Sequence, residues 1–193
     1  DLNTEQGKNI VLIGGRNGYG KTNFLISLVW CLYGEKISQV DENFKKEIQK
    51  EKNYSQFMKQ SLNWKSANEG KESFSIQLKI SDLELPPIKS SNNNINCIVI
   101  KRDFNVVTMK ENLYIKDDLD GEELFEDNED KINFINDYII PLDAAKFVFF
   151  DAEKIAALAE LSTKDEGSIL NDALGKILGL DIYEDLIHDL DSY

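Results

Sequence analysis

The chain has 193 residues, of which 41% are hydrophobic and 30% charged, enough for one substantial domain or two small ones. Its formal net charge of −13 argues against a broadly basic nucleic-acid surface on this stretch of protein. No apolar run approaches the roughly 20 residues that a membrane-spanning helix needs, and the start Asp1-Leu2-Asn3 carries no signal-peptide pattern, so the expectation is a cytoplasmic protein with no membrane partner.

Ile10-Val11-Leu12-Ile13 is a short unbroken apolar run ending at two glycines, the pattern of a strand buried on both faces of a parallel sheet. Directly after it, Gly15-Arg16-Asn17-Gly18-Tyr19-Gly20-Lys21-Thr22 fits the phosphate-loop pattern GxxxxGK[ST]. Glycines let the backbone curl so that successive N–H groups point at phosphates, and the following helix adds the partial positive charge of its N-terminus. Residues Arg16, Asn17, Gly18, Tyr19, Gly20, Lys21, Thr22 and Asn23 are therefore the expected nucleotide-binding set. Lys21 is expected to reach the β and γ phosphates, and the Thr22 hydroxyl to hold Mg²⁺. Phe24, Leu25, Leu28, Val29 and Leu32 recur at helical spacing until Gly34, a natural stop.

Residues 38–62 read as a polar, helical insertion over one face with little sign of a deep core. From Phe44 to Lys65 six lysines against two glutamates give a local balance of 6 − 2 = +4, which a solvated helix face accounts for more readily than a phosphate-contacting patch. Phe74, Ile76, Leu78 and Ile80 alternate with polar residues as in a half-buried strand, which Leu85-Pro86-Pro87 ends. Residues 89–96 are a Ser- and Asn-rich loop. Ile98 and Ile100, then 106–109 and 113–115, continue the β pattern as a meander. Asp117 to Asp130 holds nine carboxylates and no base; around Asp120-Gly121 it reads as a solvated hairpin tip, because the alternating ligands of a calcium loop are only partly present. Cys31 falls in the helix after the phosphate loop and Cys97 in an apolar strand pattern, so both read as buried thiols. With a single histidine, His188, they argue against a zinc site.

From Lys131 the period turns helical through Ile132, Ile135, Tyr138 and Ile139 and stops at Pro141. Lys146-Phe147-Val148-Phe149-Phe150 reads as a second fully apolar strand ending in Asp151-Ala152-Glu153, and an acidic residue at the end of a core parallel strand is where ligands bind in such folds. Helices are expected through Ile155, Leu158 and Leu161 and from Ser168 to Leu178. After Gly179, Tyr183, Leu186, Leu190 and Tyr193 follow spacings of three, four and three, a heptad seam that an amphipathic helix also produces. Read from the residues, Asp151 has the shape of a Walker B carboxylate holding Mg²⁺, with Glu153 polarising the attacking water. Ala152, however, separates two carboxylates that ABC-type ATPases place side by side, and the sequence contains nothing like LSGGQ.

The phosphate loop in its GxNGxGK context, the segment Phe149-Phe150-Asp151-Ala152-Glu153-Lys154-Ile155 some 130 residues later and the Leu178-Gly179-Leu180-Asp181 lead into a heptad helix together resemble DndD, the SMC-like ATPase family of bacterial DNA phosphorothioation. The resemblance spans nearly the whole chain and is weak over 37–95. It implies that segment 149–155 stands where ABC ATPases carry the Q-loop, with Asp151 near Mg²⁺ and the attacking water. It departs from the family at Ala152, where a glycine is usual, and at Tyr19, where a small residue is common. The chain also starts after what would be the first strand of that fold. The implied fold is α/β, an ABC-ATPase (SMC-like) head with a mixed sheet around the phosphate-loop helix, an antiparallel β region and a helical lobe. Residues 1–181 would form the N-terminal lobe and 182–193 the start of a coiled coil. The implied activity is ATP binding, with Mg²⁺-dependent hydrolysis only when a C-terminal half and a second head of a homodimer complete the site. Lys21, Asp151 and Glu153 are the expected catalytic residues, Thr22 and Asp151 the metal ligands. DNA and other DNA sulfur modification proteins are the implied partners. A different coiled-coil ATPase, whether a nuclease-partnered repair ATPase or an anti-phage SMC-like sensor, and a non-hydrolysing nucleotide-dependent scaffold are the other readings.

Overall fold

The computed structural model describes residues 10–16, 18–86 and 95–149. Helix α1, Lys21–Tyr33, is followed by a 3-10 turn at Gly34–Lys36 and four short helices: α2 Ile37–Val40, α3 Glu42–Lys50, α4 Tyr54–Gln60 and α5 Trp64–Asn68. Strands β1 Ser73–Ser81, β2 Cys97–Asn105 and β3 Lys110–Asp117 form an antiparallel sheet in the order β1-β2-β3. Helix α6, Asn128–Phe134, runs into a π-turn at Ile135–Ile139, and α7, Leu142–Val148, follows Pro141.

Period-2 alternation places Phe74, Ile76 and Leu78 of β1 opposite Phe104, Arg102 and Ile100 of β2, and Ile100 opposite Ile115 of β3. That face packs on the C-terminal half of α1, where Val29, Trp30, Cys31, Leu32 and Tyr33 are all buried. Trp30 stacks at a tilt on Phe74, and Phe74 on Phe104, at centroid separations of 5.3 and 5.9 Å. The Tyr33 hydroxyl donates to Ile140 O at 2.8 Å, tying the end of α1 to the segment before Pro141.

Residues 37–62 contribute more core than their polarity suggests. Ile37, Val40, Phe44 and Met58 are buried in the main cluster, because each short helix supplies only one or two inward side chains and no long stripe is needed. Helices α3, α4 and α5 begin at side-chain caps: Asp41 accepts from Asn43 N, Asn53 from Gln56 N and Asn63 from Lys65 N. Residues 106–109 are a turn, not strand. The Asn105 carboxamide oxygen accepts from Val107 N at 2.9 Å and Thr108 N at 2.8 Å, capturing two donors that a ladder would have used. Around Asp120-Gly121 the chain does turn back, and Lys116 bridges Glu123. Two of its carboxylates shape the bend, Asp117 accepting from Leu119 N and Asp120 from Glu122 N. Among the described residues no cluster of three or more His, Cys, Asp or Glu side chains is arranged to hold a metal, and no helix is long and apolar enough to cross a membrane.

Among the described residues two expected strands are absent. Residues 10–13 pair with no described strand and stand open to solvent, Leu12 at 91%. An apolar run signals a need for burial, but strand structure requires ladder partners, and no described residue supplies them. At 142–148 the chain is helical. Pro141 presets the entry at φ −57°, Asp143 sits favourably in the first turn, and Ala144 and Ala145 are strong helix formers, both buried. A four-residue apolar run, Phe147 to Phe150, cannot by itself distinguish strand from helix. Phe150, Asp151, Glu153, the later helices and the heptad segment 182–193 lie outside the described residues.

Cys31 is buried, its thiol directed at the Ile76 and Ile100 carbonyls, whereas Cys97 is only half-buried on its strand. Burial pushes the Cys31 thiol up to about 11, despite the Arg102 guanidinium nearby. At pH 7.5 a maleimide is therefore expected to label Cys97 quickly and Cys31 only after unfolding, read by mass spectrometry of the peptides. Because the folded thiol titrates above its ordinary 9.0, this group's contribution to stability is complete below about pH 9 and lost as pH rises toward about 11.

Candidate functional site

The phosphate-loop sequence meets α1 through two glycines in the left-handed region, Gly18 at φ 83° and Gly20 at φ 86°. Gly20 is the N-cap of α1, and its carbonyl accepts the first helical bond from Phe24 N at 2.9 Å. A β-carbon at either position would be strained by the backbone conformation alone. The Tyr19 amide donates to Arg16 O at 3.2 Å, closing the turn, and the Tyr19 ring is 76% exposed. The Lys21 ammonium folds back over the loop, donating to Gly15 O at 2.7 Å and Arg16 O at 3.0 Å. Thr22 and Asn23 complete the exposed first turn.

These residues fit a polyphosphate on the structure's own terms. The first turn of α1 has no side-chain cap and no acidic residue, so its free N–H donors and the positive end of a 13-residue helix face outward for an anion. Lys21 already lies on the loop's inner side, and exchanging two carbonyl acceptors for phosphate oxygens keeps its ammonium satisfied. Arg16, Gly18, Tyr19, Gly20, Lys21, Thr22 and Asn23 are thus contiguous around one helix end. Asn17, Asp151 and Glu153 lie outside the described residues.

The sequence matches the AAA domain family (AAA_23) over residues 1–192. The chain belongs to that family. An AAA domain of this type is a P-loop ATPase domain of SMC-like head architecture, and ATP is its nucleotide. No curated protein and no solved structure matches the chain. The AAA domain described here is mixed α/β, and the sheet among its described residues is purely antiparallel.

Sequence reasoning missed what holds the other end of α1. Arg102, 6% exposed, donates from Nε to Cys31 O at 3.0 Å and from Nη2 to Leu32 O at 3.1 Å, satisfying carbonyls of the last helical turn. Its Nη1 pairs with Glu111 Oε1. Glu111 Oε2 accepts from the Tyr54 hydroxyl and from Trp30 Nε1, and Trp30 Nε1 also donates to Tyr54. Burial, then the Glu111 charge, holds the Tyr54 hydroxyl well above the usual phenol range, so it stays a donor. Gly34 at φ 54° passes so close that a β-carbon would collide with Glu111 Oε1 and lie 2.6 Å from Arg102 Nη1. The helix that presents Lys21 and Thr22 is therefore clamped at its far end by β2, β3 and α4. A signal existed: Arg102 is the charged member of the inward set 98, 100, 102, 104 on an otherwise apolar strand face.

Proposed function

We propose that this chain is the nucleotide-binding N-terminal lobe of an SMC-like ATPase head that acts on DNA in phosphorothioate modification or the defence linked to it. The observation carrying the nucleotide part is the loop geometry: two left-handed glycines, an uncapped helix start and Lys21 folded onto the loop. In this reading Arg16 to Asn23 surround the triphosphate, Lys21 neutralises the β and γ phosphates, and Thr22 with Asp151 holds Mg²⁺. The bound triphosphate with its ion supplies the phosphoryl group and its electrophilic phosphorus. Lys21 and the α1 amides position that group and stabilise charge on its oxygens. Glu153 orients water once the site is complete.

Completion comes from a C-terminal half and from a second head in a homodimer. DNA and other DNA sulfur modification proteins are the partners of the assembled dimer. The phosphorothioation role rests on the FFD-x-EKI segment and the phosphate-loop context quoted above. Residues 1–193 alone are expected to bind ATP but turn it over slowly, whereas the protein with its C-terminal half restored should show turnover that rises more than linearly with concentration. Phosphate-release assays across a dilution series measure this. Vigorous, concentration-independent hydrolysis by the 193-residue chain, abolished by Glu153→Gln, contradicts the half-site reading and supports a self-contained Walker B site.

A further inference from the structure

A cavity of about 800 Å³ opens beside α1, within the range of small-ligand sites. Thr22, Ile26 and Trp30, one residue per helical turn, form its α1 wall. The opposite side comes from the short helices, and β1 closes the end where Phe74 packs on Trp30. The inner wall is fixed, because the Trp30 indole is held by Tyr54 and Glu111. At the mouth stands Trp64, 74% exposed, although an indole this large normally buries most of its area.

The charged residues in the lining are both acidic. Glu47 on α3 and Glu51 at its C-cap, four residues apart, line the cavity, and no Lys or Arg side chain does among the described residues. Glu47 engages Lys50 through Oε1, but both side chains are more than half exposed, at 52% and 66%, so the pair binds weakly. Glu51 accepts from the neutral Gln60 through Oε2. A lining that combines indole and phenyl rings with two carboxylates suits a positive charge on an apolar body, through cation–π attraction and Coulomb complementarity.

We propose that this cavity is a binding site for a small organic cation with an apolar or aromatic body, adjoining the phosphate loop at Thr22 and Asn23 and open to its ligand without nucleotide. The chain's only two tryptophans are Trp30 and Trp64, and both line the site, so intrinsic fluorescence reports on it directly. Benzyltrimethylammonium, titrated into the 193-residue chain without nucleotide, is expected to give a saturable change in tryptophan emission and a matching calorimetric isotherm. Benzylsulfonate, of similar shape and opposite charge, should bind at least tenfold more weakly. The double variant Glu47→Gln/Glu51→Gln and the single variant Trp64→Ala, all at surface positions whose loss spares the core, should each weaken binding about tenfold by calorimetry while leaving the circular dichroism unchanged. Absence of saturation, equal binding of the sulfonate, or wild-type affinity in both variants overturns the proposal. Because ATP is absent throughout, failure here leaves the phosphate-loop reading standing, and loss of ATP binding by Lys21→Ala leaves this one standing.

Discussion

Lys21→Ala is expected to lower the affinity of the chain for Mg-ATP by at least about a hundredfold, roughly 2.7 kcal/mol, with the fold intact. The ammonium is exposed and, among the described residues, bonds to the Gly15 and Arg16 carbonyls, which water can satisfy in its absence, so stability changes little. Binding loses the one mobile cation that the loop geometry brings to the β and γ phosphates, and charge-assisted bonds to phosphate are among the strongest available to a side chain. Isothermal titration of both proteins, beside thermal melts, separates the two effects. Equal affinity in wild type and variant removes Lys21 from the site.

The largest effect on stability is expected at Arg102. Replacement by Met keeps the apolar stem but leaves the Cys31 and Leu32 carbonyls without their donor and strands the Glu111 carboxylate, whose side chain is 19% exposed, beside the Tyr54 hydroxyl. Removing one partner of a buried pair costs about 3 kcal/mol or more, a large fraction of what holds a domain of this size together. Urea unfolding followed by tryptophan emission should show the loss as a lower midpoint at unchanged slope. Changing both partners, Arg102→Met with Glu111→Leu, should recover part of it, since the stranded charge is then gone. A double variant no more stable than Arg102→Met would mean that the helix carbonyls, and not the ion pair, dominate the network.

The phosphate loop was legible in sequence because its chemistry is local: glycine spacing, Lys21 and Thr22 specify a backbone shape within one turn of helix. The β-meander was legible for a similar reason, since Phe74, Ile76, Leu78 and Ile98, Ile100 carry a strict period of two. The misreadings had separate causes. The apolar run at 10–13 lacks ladder partners among the described residues. The run at 146–150 was outweighed through Val148 by the helix-forming Pro141-Leu142-Asp143-Ala144-Ala145 before it. The turn at 106–109 was decided by a single carboxamide, Asn105. The clamp on α1 joins residues 30, 54, 102 and 111, which are distant in sequence, and only Arg102, by interrupting an apolar face, left a trace.

The central claim, that the loop from Gly15 to Thr22 and the first turn of α1 hold the phosphates of ATP, is tested most directly by amide hydrogen exchange on the 193-residue chain with and without Mg-ATP. The amides of residues 18–24, which include the free first-turn donors of an uncapped helix, should slow markedly with nucleotide while the sheet amides of β1–β3 stay as they were. Saturable ATP binding that leaves 18–24 unprotected and slows exchange elsewhere would contradict the account.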